Sequence, residues 1–377
     1  MFSNYTVLIL GGGPAGCAAA LTLARAGIRV AVVERSSYDG LRFGETLPPS
    51  IQPLMRRLGI WQAFVRDGHL PAPAIVSSWA DPEPYDNDFI RNPYGNGWHL
   101  DRALFDRNLA DAAQRAGATM FRSTRVRSVA RKSTQGWQIQ CECDGSKQTL
   151  ATDILIDGTG RSAWLARLQG ARRIIHDRLV GVIGFGLGLA VEDRRTIIEA
   201  TPDGWWYSAR LPQQKVVAAF MTDADLLPRG HKAIRRYWLN QIQAAPMTGA
   251  LCAEPIGDLQ VKVAGTVRLD RASGPGWLAI GDAAVAYDPL SSQGIYMAME
   301  SGWRGALAIT ASLQGNATAA TEYAEWLAVA FAEYCQNYFH HYGRVTRWPD
   351  AVFWTRRRNA ADMHSLGNHF RNVNGYR

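Results

Sequence analysis

Lysine is scarce in this chain of 377 residues. Of its 41 basic residues only five are lysine (Lys132, Lys147, Lys215, Lys232 and Lys262), and none precedes residue 132. The net charge of +8 therefore rests on scattered arginine with only short clusters, such as Arg356-Arg357-Arg358. That distribution fits solvated faces better than a nucleic-acid footprint, so no nucleic-acid partner is expected. Cysteine is also scarce. Cys17, Cys141, Cys143, Cys252 and Cys335 form no C-x-x-C pair and no zinc-type spacing with histidine, so no metal is expected. An odd count without a framework points to reduced thiols and a cytoplasmic setting. Long apolar runs are missing too. The best, Val180 to Val191, is broken by four glycines and falls short of the ~18 residues a membrane span needs. No basic segment precedes the apolar N-terminus, so no signal peptide is read. There is no internal repeat and no low-complexity linker. What is present, 47% hydrophobic and 20% charged residues, suits a globular chain of two domains or one large domain.

The first 34 residues read as one unit. Tyr5 to Leu10 is an apolar β-rich run, Gly11 to Gly16 a glycine turn, and Cys17 to Ala26 an Ala/Leu-rich helix closed by Gly27. Arg29 to Val33 is a second strand ending at Glu34. Helices are also expected over 104–116, 234–243, 294–312 and 318–342. Strands are expected over 119–131, 137–143, 154–156 and 277–280, and 174–267 reads mainly as strands and turns. The short buried strands that match this first unit are thus split by intervening sequence.

Gly11-x-Gly13-x-x-Gly16 is weak as a bare pattern. Here it follows a strand, opens a helix and has Glu34 at the end of the next strand. Gly11 allows the tight turn, Gly13 admits a pyrophosphate and Gly16 lets helix and strand pack closely. The helix N-terminus offers free N–H groups to phosphates, and Glu34 can accept from a ribose diol. A second segment, Gly281-Asp282 followed by Asp288-Pro289-x-Ser291-Ser292-Gln293-Gly294-Ile295, reads as strand end, turn and helix start.

Together these two segments resemble the class A FAD-dependent monooxygenases of the aromatic hydroxylase type. The resemblance covers roughly residues 5–315. It implies that Asp282, after Gly281, binds the ribityl chain of FAD. It also implies that Pro289 and the helix start at Ser292, Gln293, Gly294 and Ile295 border the isoalloxazine ring. Ser291 and Ser292 stand where the family usually has glycine. Further matches are Arg102 in Leu100-Asp101-Arg102-Ala103-Leu104, Val126 at the adenine position, and Gly160 in Asp157-Gly158-Thr159-Gly160-Arg161-Ser162. The implied FAD set is completed by Pro14, Ala15, Arg35 and Arg42. No second G-x-G-x-x-G occurs, so NAD(P)H is expected as a transient reductant, with O2 as co-substrate.

Arg42-Phe43-Gly44-Glu45-Thr46-Leu47-Pro48-Pro49 resembles the tryptophan-halogenase-like branch of that family, as does Gly204-Trp205-Trp206-Tyr207. The stretch from His341 to Arg357 resembles a subgroup whose flavoproteins mature protein-derived tryptophylquinone cofactors. In a true halogenase a lysine near the substrate guides hypohalous acid. It lies between the Gly-Glu-Ser/Thr-Leu-Pro segment and the next strand, where residues 50–131 contain no lysine. The W-x-W-x-I-P signature is also broken, so halogenation is disfavoured.

The expected architecture is α/β (α+β): a Rossmann-like FAD domain with an inserted antiparallel β-sheet substrate domain and a C-terminal helical segment. The FAD domain would comprise 1–70, 97–170 and 266–315, the substrate domain 71–96 and 171–265, and the C-terminal segment 316–377. The resemblance implies hydroxylation of an electron-rich ring through a flavin hydroperoxide. A tryptophan in a precursor protein is the first substrate expected and a small aromatic metabolite the alternative. A non-catalytic FAD protein binding nucleic acid is the reading from another class. Glu45 and His99 are the candidate acid–base residues near the ring. An open cleft between the two sheets is expected, and the aromatics at 205–207 and 348–354 are either a docking surface or core.

Overall fold

The computed structural model describes residues 3–133, 136–187, 193–252 and 254–358. Gly188 and Val191 of the apolar run, and 359–377 of the expected C-terminal segment, lie outside the described residues. Among the described residues, eight strands form the first sheet. Five run parallel in the order Trp277–Ala279, Ser146–Asp157, Ser3–Leu10, Val30–Val33, Thr119–Phe121. Val7 to Leu10 and Val30 to Val33 are wholly buried, as strands covered on both faces must be. The register aligns Leu10 with both Asp157 and Val33, and Asp157 with Ala279. The turns that follow these strands therefore emerge side by side at one end of the sheet, where open α/β sheets place their ligands.

The stretch 119–131 is not one strand. Ser123 takes a left-handed conformation (φ 51°), so Thr119–Phe121 stays in the parallel sheet while Thr124–Arg131 pairs antiparallel with Trp137–Cys143. Helices Pro14–Arg25 and Gly294–Leu313 pack so closely that a Cβ on Gly302 would come within 2.2 Å of the Ala15 carbonyl oxygen.

A seven-stranded sheet is drawn from residues 74–88 and 179–263, in the order Ile256–Val263, Leu179–Leu187, Lys215–Asp223, Gly204–Arg210, Thr196–Thr201, Ala74–Ser78, Tyr85–Asp88. It is antiparallel except where Thr196–Thr201 runs parallel to Ala74–Ser78. A parallel pair requires a long crossover, and here the chain passes through the first sheet between the two strands. Trp205 and Trp206 are adjacent and both wholly buried, because alternation along a strand sends them to opposite faces. Trp206 packs with Phe220 and Trp238 under the helix His231–Ile242. Trp205 faces the C-terminal helices Ala319–Gly343 and Val352–Arg358, donating from Nε1 to Tyr342 Oη at 2.9 Å.

The aromatics of 205–206 and 353–354 are therefore core, not a docking surface. Trp354 Nε1 is held by the Thr201 carbonyl at 2.8 Å, and the buried Arg357 pairs with the buried Asp223 at 2.8 Å. All five cysteines are unpaired. Among the described residues, no helix is long and apolar enough to cross a membrane.

Candidate functional site

The glycine turn divides its labour by sterics. Gly11 has φ 101°, and a Cβ there would meet the Gly158 carbonyl oxygen at 2.2 Å. A Cβ on Gly16 would lie 1.9 Å from the Gly11 carbonyl oxygen. Both positions are closed by the fold itself. Gly13 has nothing within 4 Å of its Cβ direction, and it caps the helix Pro14–Arg25, whose first N–H groups lack helical acceptors. The space opposite Gly13 thus combines room, free donors and the positive end of a helix, as a pyrophosphate requires.

The next two strand ends frame this space. Glu34 follows Val33 and is nearly buried. Its Oε2 accepts from Gly12 N–H at 2.7 Å and its Oε1 from Ser36 N–H at 2.9 Å. A carboxylate has about four acceptor positions, which leaves capacity for a ribose hydroxyl. Asp157 caps its own turn, accepting from Thr159 N–H at 3.0 Å and Ala166 N–H at 2.8 Å. Gly158, whose N–H bonds the Leu10 carbonyl at 2.8 Å, is thereby fixed against the glycine turn.

A cleft of about 350 Å³ opens beside these turns, within the range of roughly 300–1,000 Å³ for small-molecule sites. On the parallel-sheet side it is lined by Gly13, Pro14, Ala15, Gly160, Arg161 and Asp282. Pro289 and Ser292 line it from a short turn, and Gly294 and Ile295 from the start of the long helix Gly294–Leu313 that follows. Gly181, Ile183, Val217, Ala219 and Met221 form an apolar floor on the seven-stranded sheet. Phe43, Glu45, Arg102, Tyr207 and Lys262 complete it. The cleft therefore lies between the two sheets and belongs to both.

Of the remaining sequence-named residues, Gly281 (φ 57°) sets the turn that presents Asp282. Gln293 is exposed and precedes the helix. Val126 lies two residues past Thr124, whose N–H bonds the Glu34 carbonyl at 2.9 Å. Arg35 is exposed beside Glu34. None of these four lines the cleft.

Charge in the cleft is ordered by a carboxylate the sequence reading missed. Asp106 is fully buried and bound by Arg42 at 2.9 Å and Arg102 at 3.1 Å. Held by Asp106, Arg102 also donates to the Gly44 carbonyl at 2.7 Å and to the Phe43 carbonyl. The segment that carries Glu45 is thereby pinned to the helix Arg102–Arg115. The signal was the i,i+4 spacing of Arg102 and Asp106 on one helix face.

Glu45 lines the cleft, is 4% exposed, and its Oε1 makes no hydrogen bond. Burial pushes its carboxyl up to about 7 despite the nearby Arg102 guanidinium. Burial also raises Asp282, opposed by Arg161 at 3.6 Å. His99 does not line the cleft. It is wholly buried in the strand beside Thr46, with Nε2 2.8 Å from Thr196 Oγ1, and burial lowers it to about 4. Tyr207, which sequence reading grouped with the aromatics, sits on the cleft wall with its hydroxyl 2.6 Å from Thr46 Oγ1.

Lys262 is the finding least expected from sequence. It enters the cleft from the edge strand Ile256–Val263, its ammonium 5.1 Å from the Phe43 ring centroid. The lysine-free window 50–131 therefore does not leave the cleft without a lysine.

Comparison with known proteins agrees with this geometry. The family model described as FAD binding domain matches residues 4–322. LodB of Marinomonas mediterranea, named as an FAD-dependent oxidoreductase, is 30% identical over 94% of this chain and 97% of its own. The tryptophan 2-halogenase of Chondromyces crocatus is 24% identical over 92% of this chain, which spans 66% of that enzyme. The solved structure of the peptidyl tryptophan dihydroxylase QhpG, essential for tryptophylquinone cofactor biogenesis, superposes with TM-score 0.80 at 26% identity, covering 96% of this chain and 80% of that one. A glycine turn open only at Gly13, three strand ends meeting at one cleft and a family match over most of the length lead to one conclusion: the chain belongs to the FAD binding domain family and is an FAD-dependent oxidoreductase with a class A flavoprotein fold.

Proposed function

We propose that this oxidoreductase is a monooxygenase that hydroxylates an electron-rich ring, a tryptophan side chain of a precursor polypeptide, during tryptophylquinone cofactor formation. One observation carries the reading: a single cleft joins the glycine cradle to an apolar floor large enough for an aromatic ring and bounded by Phe43, Tyr207 and Met221. Similarity to a peptidyl tryptophan dihydroxylase supports the substrate class, and similarity to LodB over nearly all of both chains supports the oxidoreductase chemistry.

Bound FAD, reduced by NAD(P)H and reacting with O2, would deliver one oxygen atom to the ring and release the other as water. The residues of this chain bind, orient and manage protons. Gly13, Pro14 and Ala15 would hold the pyrophosphate, Glu34 the adenosine ribose, and Asp282 the ribityl chain. The start of the helix Gly294–Leu313 would favour negative charge on the flavin. Glu45, with its carboxyl near neutrality, can give or take a proton at the cleft wall, as an acid–base group working near pH 7 must. The apolar floor keeps water from the reacting ring.

The test supplies FAD, NADPH or NADH and O2 with a tryptophan-bearing precursor polypeptide and, separately, with free tryptophan and simple phenols. Oxygen gained by the polypeptide supports the proposal. Efficient oxidation of the free compounds, with no gain on the polypeptide, transfers the reading to a small aromatic metabolite. A second reading, halogenation, is favoured by Lys262 in the cleft together with the likeness to a tryptophan 2-halogenase. Product halogen content in bromide decides between them.

A further inference from the structure

We propose that the free edge of the strand Ile256–Val263 receives an extended segment of the polypeptide substrate as an added β-strand. The substrate's reacting side chain would then enter the cleft beside Lys262. The inference rests on the polypeptide reading above and specifies how that substrate is held.

The two edges of the seven-stranded sheet differ. At one end Tyr85–Asp88 is four residues long and carries two aspartates, one of them paired with Arg195 at 2.8 Å. Short length and charge are the usual protection against stray strand pairing. At the other end Ile256–Val263 is eight residues long, and among the described residues no strand pairs with its outer side. It exposes Ile256 and Val263 at 62% and Val261 at 43%, next to Leu187 at 64% on the neighbouring strand. Arg235 donates to the Gly257 carbonyl at 2.9 Å near the far end; the rest of the edge, with no strand on its outer side among the described residues and with exposed β-branched side chains, is a template for another strand.

This edge is continuous with the cleft. Lys262 pairs in register with Gly181, and Gln260 with Ile183, and both partners lie on the apolar floor. The register irregularity falls between Ile183 and Phe185, toward Ile256, so the regular part of the ladder is the part at the cleft. A strand added outside it would lie roughly 4.8 Å away and turn alternate side chains to the cleft face. A tryptophan on that face would reach the floor without unfolding anything in this chain.

Charge selects the segment. Lys262 has no salt bridge among the described residues and is held over Phe43. An acidic side chain two residues from the tryptophan would share its face and meet Lys262. Recognition would thus combine main-chain pairing, a ring in the cleft and one ion pair at the rim.

The experiment uses FAD-loaded full-length protein and a synthetic peptide with one tryptophan and an aspartate two residues away. Amide hydrogen exchange across 256–263 should slow when the peptide binds. Val261→Glu, which replaces an exposed apolar contact for the arriving strand by a charge on the edge, should raise the peptide KM about tenfold with flavin absorbance and melting unchanged. Val261→Thr, which keeps β-branching, should behave as wild type, and replacing the peptide aspartate by lysine should also raise KM. Peptide oxidation with unchanged exchange at 256–263 and unchanged KM in Val261→Glu overturns the inference but keeps the polypeptide reading. A peptide that gains no oxygen where free tryptophan does overturns both.

Discussion

Tyr342 donates from its hydroxyl to Asp288 Oδ2 at 2.9 Å, across 54 residues of sequence. The bond ties the C-terminal helix Ala319–Gly343 to the loop that borders the cleft at Pro289. Burial, helped by Asp177, pushes the Asp288 carboxyl up to about 7, while the Tyr342 bond pulls it back. The same hydroxyl accepts from Trp205 Nε1.

Tyr342→Phe would leave two buried polar groups without this partner. The expected loss is about 1–3 kcal/mol, read as a lower urea midpoint at pH 7.5. An unchanged midpoint would show that the loop does not depend on the C-terminal helix.

Glu45 gives a pH signature. Its folded carboxyl titrates near 7, above the ordinary carboxylate range. The protonated form is favoured by the fold, so this contribution to stability is full below the ordinary range and is lost as pH rises through about 7. Glu45→Gln keeps a neutral side chain at every pH. Relative to wild type it should gain about 3 kcal/mol between pH 4 and pH 8. Asp288 titrates in the same window in both proteins, so the difference between the two unfolding curves isolates Glu45. A difference flat with pH would rule out a buried neutral Glu45.

The glycine turn separates binding from folding. Gly13→Val should fold with normal melting but lose FAD, because its Cβ meets no protein atom yet fills the open space. Gly16→Ala should destabilise by about 3 kcal/mol, since its Cβ would collide with backbone at Gly11. Yellow, FAD-retaining Gly13→Val would remove the pyrophosphate from this position.

Local pattern and spacing made much of this legible. The Gly11-to-Glu34 unit follows from strand, turn and helix periodicity, and Gly11 and Gly16 meet backbone where their spacing implies close packing. The helices at 102–115, 294–313 and 319–343 fall where their residue patterns place them. What escaped depends on contacts far apart in the chain. Trp205 and Trp354 read equally as surface or core until Tyr342 and Thr201 are seen to hold their ring N–H groups. Asp106 reads as an ordinary helix acid until two arginines close on it. His99 carries the chemistry of a catalytic base, but tertiary burial beside Thr196 removes it from the cleft. Lys262 was invisible because no local rule says which strand of a sheet ends at a cleft.

Lys262 also frames the last prediction. A lysine that guides a diffusible oxidant must act in a closed space, since an open path loses the oxidant to water. Lys262 lies instead on an exposed edge strand, over the Phe43 ring at the rim. The position suits an ion pair with an arriving substrate better than the custody of hypohalous acid. With NAD(P)H, O2 and bromide present, the product should therefore carry oxygen and no bromine. Lys262→Met should raise the KM for an acidic tryptophan peptide about tenfold, leaving kcat near wild type. Bromine in the wild-type product, lost in Lys262→Met, would reverse the assignment and make Lys262 the halogenating lysine, carried by the edge strand Ile256–Val263 and not by the segment 50–131.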